Sequence, residues 1–186
     1  EAVWSNVSNT NLCTTVSNNF GTSVSTVEHL MSALSGLHID NLKIEIDGPE
    51  VPIMDGSSKD FVNVLEMIPI KLLNKKIKVI NIKSNIKVTN NDSYVELRPN
   101  KQFSIDFEID FPSKLISKQS CQLQLINGNY KSDIASARTF GFEKDVDTLR
   151  TNGLALGGSL ENAVVIGENK ILNKEGLRFK DEFVRH

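Results

Sequence analysis

Three histidines are the residues of this 186-residue chain best suited to bind a metal or to transfer protons near neutral pH. One of them, His29, directly follows Glu28. A hydrolytic zinc site usually has three protein ligands and one open position for water, and a carboxylate beside a ligating histidine can take a proton from that water. Adjacent helical residues point about 100° apart, so both side chains reach one site only where the helix presents its flank. The pair therefore indicates either a metal or acid–base site or a solvated helix surface, and the spacing alone leaves both open.

The remaining candidates for chemistry favour ordinary structural roles. His38 lies at a predicted helix–strand junction and is expected to be a turn histidine, and His186, at the end of the chain, is expected to be exposed. The two cysteines, Cys13 and Cys121, are far apart and form no C-x-x-C, which excludes a disulfide framework and an all-cysteine zinc site. Neither has a histidine at a useful spacing for a thiol nucleophile, so two reduced thiols of a cytosolic protein are expected. Gly157-Gly158 is not followed by Gly-Lys-Ser/Thr, so it is no P-loop.

Composition places the chain among globular proteins, with 39% apolar and 24% charged residues. A net charge of −2 and a pI near 6.0 argue against a nucleic-acid-binding protein. No window approaches the roughly 18 consecutive apolar residues of a membrane span. No signal peptide is visible either. Because the sequence starts without Met and stops inside a predicted helix, it is expected to be truncated at both ends.

Two helices and a strand are predicted to position the Glu28–His29 pair. Apolar residues at helical spacing predict a helix at about 25–35, with candidate N-caps before it and Gly36 as its stop. Alternating residues predict a half-buried strand at 42–47. A loop at 51–56 leads to a second helix, capped by Ser57-Ser58, whose apolar face is formed by Phe61, Val62, Val64, Leu65 and Ile68.

After a link at 69–76 the pattern changes to short strands. These strands are expected to form an antiparallel meander at 77–82, 86–88, 94–97, 103–111 and 122–126. Helices are predicted at 133–138 and 144–151, a tight turn at 157–159, a strand at 163–166 and a final helix from 180. The sequence therefore predicts an α+β protein in two units, residues 1–72 and 73–186.

Five segments resemble, in the same order, the zinc-dependent UDP-3-O-acyl-N-acetylglucosamine deacetylases of lipid A biosynthesis. They are 25–37, beginning Ser-Thr-Val-Glu-His-Leu; 50–57, Glu-Val-Pro-Ile-Met-Asp-Gly-Ser; 137–142, Ala-Arg-Thr-Phe-Gly-Phe; 153–159, Gly-Leu-Ala-Leu-Gly-Gly-Ser; and 176–186, ending Phe-Val-Arg-His. A chance match of five ordered segments is far less probable than a match of one motif. The resemblance implies two similar layered sheet-and-helix domains with the active site at their interface.

The same resemblance implies roles for individual residues. His29 and His186 correspond to zinc ligands, one from each unit, and Glu28 corresponds to the general base. Thr139 corresponds to the residue that donates a hydrogen bond to the oxyanion of the tetrahedral intermediate. Phe140 would flank the sugar ring and the start of the acyl chain. Because one ligand comes from each unit, the two units are expected to meet at the metal.

Residues 141–170 resemble the family's inserted strand–helix–strand, which forms a hydrophobic passage for the acyl chain. Its implied lining is Val146, Ala155, Gly158, Ser159, Ala163 and Val165. Leu12 and Cys13 would border the substrate near the metal, and Phe111 would stack on the uracil. The structural alternatives are that Val146, Ala163 and Val165 are plain core, that Cys13 is an ordinary buried thiol and that Thr139 caps a helix end.

The sequence departs from the family pattern at its ends. The family motif at the second ligand is His-Lys-x-x-Asp, and here the sequence stops on that histidine, without the Asp ligand, the Lys or a later general-acid histidine. The family's first strands and an early histidine are also missing. Since metal affinity depends on ligand count and geometry, the fragment is expected to hold zinc weakly and to be nearly inactive.

For the intact protein the resemblance implies a cytoplasmic, monomeric enzyme that removes the N-acetyl group of UDP-3-O-acyl-N-acetylglucosamine and releases acetate. It would have no membrane span, although the acyl chain of its substrate would reach the inner membrane surface. Two alternatives stand beside this hypothesis. The first is a non-catalytic module that binds a nucleotide sugar, against which the retained Glu28 argues. The second is a zinc amidohydrolase for another N-acyl sugar, against which the passage at 141–170 argues.

Overall fold

The computed structural model describes residues 1–126 and 128–186 and combines short helices with small open sheets. The predicted α+β class is therefore confirmed. The chain opens with a 3₁₀ turn and an antiparallel sheet of three strands in sequence order: β1 (Val7–Asn9), β2 (Thr15–Ser17) and β3 (Ser23–Val24). Among the described residues, no helix is long and apolar enough to cross a bilayer.

Helix α1 (Glu28–Gly36) carries the Glu28–His29 pair on its first turn. It begins later than the predicted 25–35 helix, because Ser25 pairs with Glu50 in a parallel bridge and Thr26 has a left-handed φ of 57°. Val27 occupies the N-cap position, and no side chain caps the helix. The predicted stop is confirmed, since the helix ends at its glycine.

Helix α2 (Lys59–Glu66) starts directly after Ser58, as predicted. Its residues Val62 and Leu65 are buried against α1, whereas Val64 and Ile68 of the predicted apolar face are exposed. The first core cluster joins these helices to a later part of the chain: it consists of Ala33, Leu34, Val62, Leu65, Tyr130 and Ala135. The predicted unit boundary at residue 72 stays a prediction.

Two predicted strands are wrong. Residues 42–47 and 77–82 have no strand assignment, and most of their side chains are exposed. Alternation of apolar and polar residues describes how a strand would bury one face, but a strand also needs a neighbour for its backbone N–H and C=O groups. Neither segment has such a ladder partner within the described residues.

The other predicted strands form two separate hairpins rather than one continuous meander. Strand β4 (Ile86–Asn90) pairs with β5 (Ser93–Leu97), and β6 (Ser104–Asp110) pairs with β7 (Lys118–Gln124), both antiparallel. Asn91 and Asp92 form the turn between β4 and β5. Strand β7 lies earlier in the chain than the predicted strand at 122–126.

The last third of the chain contains a parallel strand pair. Helix α3 (Tyr130–Asp133) ends where the 133–138 helix was predicted, so that prediction is wrong. Strand β8 (Phe140–Phe142) pairs with β9 (Val164–Ile166), and α4 (Val146–Thr151) lies between them in the chain, near its predicted position. A second core cluster, built from Ile116, Val164, Ile166 and Phe183, packs β9 against α5 (Glu182–Arg185).

Candidate functional site

The structure brings together His29 and His186, which are widely separated in the sequence. The rings of His29 and His186 have their centroids 5.2 Å apart, with their planes inclined at 61°. His29 is 6% exposed on the first turn of α1, and His186 follows the buried residues Phe183 and Val184 at the end of α5. Burial of these two helices in different core clusters therefore determines where the imidazoles meet.

Burial favours the neutral form of both imidazoles. Desolvation by burial lowers the pKa of His29, although the nearby carboxylates of Glu28 and Asp55 act in the opposite direction. Desolvation, followed by the charge of His29, lowers the pKa of His186 to about 4. His186 is exposed as a whole residue, but its Nδ1 lies 3.4 Å from the carbonyl oxygen of Ala137. Neutral imidazole is the form that binds a metal ion.

His29 also has a nitrogen free to bind a ligand. Its Nδ1 is buried and has no hydrogen-bond partner among the described residues. An unpartnered buried nitrogen costs free energy unless something else occupies its lone pair or bonds its proton. The two histidines therefore fit a metal as two of its ligands, while no group of three or more candidate ligand side chains occurs in the described part of the chain.

Glu28 lies at the start of α1, half-buried beside the pair. Its Oε2 accepts a hydrogen bond of 2.9 Å from the backbone N–H of Thr14. The positive end of the helix dipole also favours a carboxylate in the first turn. One carboxylate oxygen is thus fixed, and the other remains able to accept a proton near His29, whose pKa this carboxylate influences.

Thr139 is half-buried just before β8, and its backbone is fully bonded. Its N–H donates to Gly56 O at 2.7 Å, and its carbonyl accepts from Val164 N at 2.8 Å. Its hydroxyl forms no hydrogen bond within the described residues, so it can bond a ligand. The alternative that Thr139 caps a helix end is wrong, because α3 ends at Asp133.

Phe140 and Phe111 lie in contact. Their ring centroids are 5.6 Å apart at 75°, and Phe140 contacts Phe183 of α5 in the same edge-to-face manner at 5.0 Å. Such aromatic pairs are worth about 0.5–1.5 kcal/mol beyond their buried area. Both rings thus pack at the edge of the second core, and their substrate contacts stay predictions.

The residues predicted to line the acyl passage lie in two environments. Val146, Ala163 and Val165 are half-buried, whereas Ala155, Gly158 and Ser159 are exposed in the turns between α4 and β9. Near the front of the chain, Leu12 is exposed with a left-handed φ of 63°, and Cys13 is half-buried, its Sγ 3.8 Å from Thr15 Oγ1. The passage and its lining stay predictions.

Asp55 and Arg178 join the loop at 51–58 to the last segment of the chain, and neither residue was predicted to have a role. Asp55 Oδ2 accepts from Arg178 Nη1 at 2.8 Å, and Asp55 Oδ1 accepts from the backbone N–H and the hydroxyl of Ser57. Burial raises the pKa of Asp55, but the hydrogen bonds from Ser57 and Arg178 outweigh it and lower the pKa. The two residues lie in two of the five segments that resemble the family, and their opposite charges could have indicated that they pair.

Gly56 allows the loop at 51–58 to approach the β8–β9 pair. It has φ +81°, and a Cβ at this position would lie 2.0 Å from the carbonyl oxygen of Asn162. Since Gly56 O also accepts the hydrogen bond from Thr139 N, the close approach fixes the start of β8 against the loop that carries Asp55.

A cavity of 330 Å³ lies beside His186, between α1 and the β6–β7 hairpin. Ser32 and Ser35 of α1 line one side of it, and Phe107 and Cys121 of the hairpin line the other. Its lining includes His186 but neither Glu28 nor Thr139.

Comparisons with known proteins agree over the whole chain. The family model for LpxC, UDP-3-O-acyl N-acetylglycosamine deacetylase, matches residues 1–186. The chain is 50% identical over 182 residues to the UDP-3-O-acyl-N-acetylglucosamine deacetylase of Shewanella violacea, covering 97% of this chain and 60% of that protein. For the protein of the same name from Syntrophus aciditrophicus the identity is 48% over 181 residues, covering 97% and 57%. The chain thus spans about three fifths of the length of these relatives.

Proposed function

The chain belongs to the UDP-3-O-acyl N-acetylglycosamine deacetylase family, and on that basis we propose that the protein is a zinc-dependent amide hydrolase. Its substrate in this proposal is UDP-3-O-acyl-N-acetylglucosamine, from which it releases acetate in lipid A biosynthesis. The observation that carries the proposal is the meeting of His29 and His186, 5.2 Å apart, beside the carboxylate of Glu28.

His29 and His186 are the residues that would hold the zinc ion, since burial favours their neutral form and Nδ1 of His29 has no hydrogen-bond partner among the described residues. A bound zinc ion would supply a Lewis acid for the acetyl carbonyl oxygen and lower the pKa of a water molecule at the site. The remaining ligand belongs to the family pattern that the sequence resembles rather than to the described residues.

Glu28 is proposed to take the proton of the attacking water. The oxygen of that water bonds to the acetyl carbon as the carbon–nitrogen bond breaks, and the leaving nitrogen takes up a proton, so that acetate and a free 2-amino sugar result. The hydrogen bond from Thr14 N holds the Glu28 carboxylate in place while its other oxygen accepts the proton. Positioned general bases contribute about 10²–10⁴-fold to the rate.

Thr139 is proposed to donate its hydroxyl hydrogen to the developing oxyanion. Hydrogen bonds of its N–H and its carbonyl fix the backbone of Thr139 on both sides of the side chain. Preorganised stabilisation of an oxyanion requires a donor that is fixed in this way. Removing such a donor typically costs about 10²–10³-fold in kcat. Phe140, Phe111, Leu12, Cys13 and the 141–170 segment are proposed to contact the substrate, whose acyl chain would bring a monomeric, cytoplasmic protein to the inner membrane surface.

The proposal is tested by replacing Glu28 with Gln in the full-length protein. The amide keeps the shape of the carboxylate but cannot take a proton, so acetate release should fall by about 10²–10⁴-fold. Substrate affinity, measured by calorimetry, should change by no more than about twofold, since a general base acts in the transition state.

The matched control is Glu45→Gln, which removes an exposed carboxylate paired with the exposed Lys43. Its acetate release should equal that of the unmodified protein. A protein that binds the nucleotide sugar but releases no acetate, with or without Glu28, would favour a binding module. Equal rates on substrates with and without the acyl chain would favour a hydrolase of another N-acyl sugar.

A further inference from the structure

A buried ion pair joins Arg138, which precedes Thr139, to Glu182, which begins the helix that leads to His186. We propose that Arg138 and Glu182 are positioning residues, which set Thr139 and His186 relative to each other without touching the substrate. The inference rests on the proposed function, because it assigns the pair a purpose in that same site.

Glu182 is the centre of this arrangement. Its Oε1 accepts from Arg138 N at 3.0 Å and from Arg138 Nε at 2.9 Å, and its Oε2 accepts from Arg138 Nη2 at 3.2 Å and from Arg178 N at 2.6 Å. The side chains of Arg138 and Glu182 are only 1% and 0% exposed. Four donors therefore fix one carboxylate from which water is excluded.

The backbone around Arg138 is tied at three consecutive residues to three parts of the site. The carbonyl of Ala137 lies 3.4 Å from the ring nitrogen of His186, Arg138 N bonds to Glu182, and Thr139 N bonds to Gly56 O. On the other side, His186 N donates to Glu182 O at 3.1 Å within α5. A shift of the Glu182 side chain therefore displaces the residue before Thr139 and the helical turn that ends on His186.

A buried ion pair is not explained by stability alone. Apolar residues of similar volume often fill such a position at least as stably, because they carry no desolvation penalty. A planar guanidinium instead presents its donors in a rigid fork, which fixes the orientation of the groups that it bonds. Arg138 uses its outer nitrogens as well, with Nη1 on Glu175 Oε1 at 2.7 Å and Nη2 on Gly176 O at 2.7 Å, so its plane is fixed at both ends.

The first test uses Arg138→Lys and Glu182→Gln in the full-length protein, with three measurements: thermal unfolding, zinc affinity by chelator competition, and steady-state kinetics. Lys keeps the charge and loses the planar fork, while Gln keeps the shape and loses the charge. Residues that orient metal ligands typically change affinity or activity by about 10–100-fold, and we expect losses of this size in zinc affinity and kcat with KM little changed.

The matched control is Glu175→Gln, which removes the outer partner of the same arginine. The Glu175 side chain is 56% exposed and, among the described residues, accepts no hydrogen bond from the backbone at 137–139. Its kcat and zinc affinity should stay within about twofold of those of the unmodified protein, because exposed partners of this kind contribute little. If Glu175→Gln lowered kcat and zinc affinity as much as Glu182→Gln does, the proposal that the Arg138–Glu182 pair positions Thr139 and His186 would be overturned.

A second variant keeps the inference testable if the single changes unfold the protein. Arg138→Met with Glu182→Gln removes both charges and keeps a side-chain oxygen that can accept from the backbone N–H of Arg138, so folding should recover. Recovered folding with kcat and zinc affinity still reduced supports positioning, whereas full recovery of both overturns it. If the unmodified protein releases no acetate, the proposed deacetylase fails, and zinc affinity still decides whether the pair positions His186.

Discussion

Two regions of the molecule distribute their polar and apolar side chains in opposite ways. One is the junction, the residues 137–139 and 178–186 next to the histidine pair, and the other is the β4–β5 hairpin. At the junction, charged side chains are enclosed and bonded, as Arg138 and Glu182 are. In the hairpin, apolar side chains on both faces are exposed, with Val95 68% exposed. The hairpin is held by its ladder, and the junction is held by packing together with directed hydrogen bonds.

This difference indicates at which positions the protein tolerates few substitutions. A buried polar group is costly unless it is bonded, so each bonded group at the junction restricts its neighbours. An exposed apolar side chain imposes no such restriction, because replacing it changes the free energy of unfolding little. Substitutions should therefore cost most at the close approaches of the junction and least in the hairpin.

The largest loss of stability is expected for Gly56→Ala. The new methyl group would meet Asn162 O at 2.0 Å, which costs about 1–3 kcal/mol as overpacking. The left-handed φ adds about 1–2 kcal/mol for a residue with a Cβ. Urea unfolding should therefore show a loss of about 2–5 kcal/mol.

Gly21→Ala is the matched control for this change. Its φ of +82° is nearly the same, but a Cβ there meets no atom within 4 Å. It should lose only the backbone contribution, about 1–2 kcal/mol. Equal losses at both positions would mean that the loop at 51–58 does not approach β8–β9 as closely as the structure shows.

Gly36→Ala is expected to cost somewhat less, because the backbone there is unstrained. Its Cβ would lie 2.2 Å from the ring of Tyr130, whose hydroxyl lies 2.6 Å from the hydroxyls of Ser32 and Ser58. A gain in helix propensity offsets part of the clash, so we expect a net loss of about 1–3 kcal/mol in urea unfolding. Gly48→Ala, which meets nothing within 4 Å, should be nearly neutral. A neutral Gly36→Ala would contradict the close packing of α1 on Tyr130.

Sequence patterns predicted the parts of the fold that depend on local order. Helices α1 and α2 and strands β4 to β6 follow from periodicity and were found near their expected places, although the predicted meander is two separate hairpins. The strands expected at 42–47 and 77–82 were wrong because the pattern does not show whether a neighbouring strand exists. The meeting of His29 with His186 came from the family resemblance, since spacing alone left the Glu28–His29 pair ambiguous.

The polar network of the junction could not be derived from local order. Arg138 and Glu182 are separated by 44 positions, and nothing in either segment indicates that their side chains meet. Charged residues are usually exposed, so their types alone give no indication of a buried pair. Only tertiary packing, with β8 and α5 against the same core, brings the two side chains together.

A smaller effect is expected from pH in protein freed of metal by a chelator. The pKa of His186 falls from its ordinary value of 6.5 to about 4, and that of His29 is also lowered, both mainly by desolvation. Between those values the unfolded chain binds protons that the folded chain does not, so stability should decrease as pH falls through this window.

The loss from His186 should be at most about 1 kcal/mol, because the residue is exposed as a whole and water screens its charge. Urea unfolding from pH 7 to pH 4.5 measures it, and His186→Gln should flatten the slope. An unchanged slope in that variant would show that the ring of His186 is not desolvated beside His29.

The smallest effect is expected in the hairpin. Val95→Thr keeps the branched shape and β propensity and places a hydroxyl where water already reaches, so stability should change by no more than about 0.5 kcal/mol. The same substitution at Val164, which is fully buried in β9, should cost about 1–3 kcal/mol because the hydroxyl is removed from water. Urea unfolding of both variants in the full-length protein compares the two regions with one chemical change. If Val95→Thr costs as much as Val164→Thr, another part of the full-length protein covers the hairpin, and its exposed apolar face is a contact surface rather than a tolerant one.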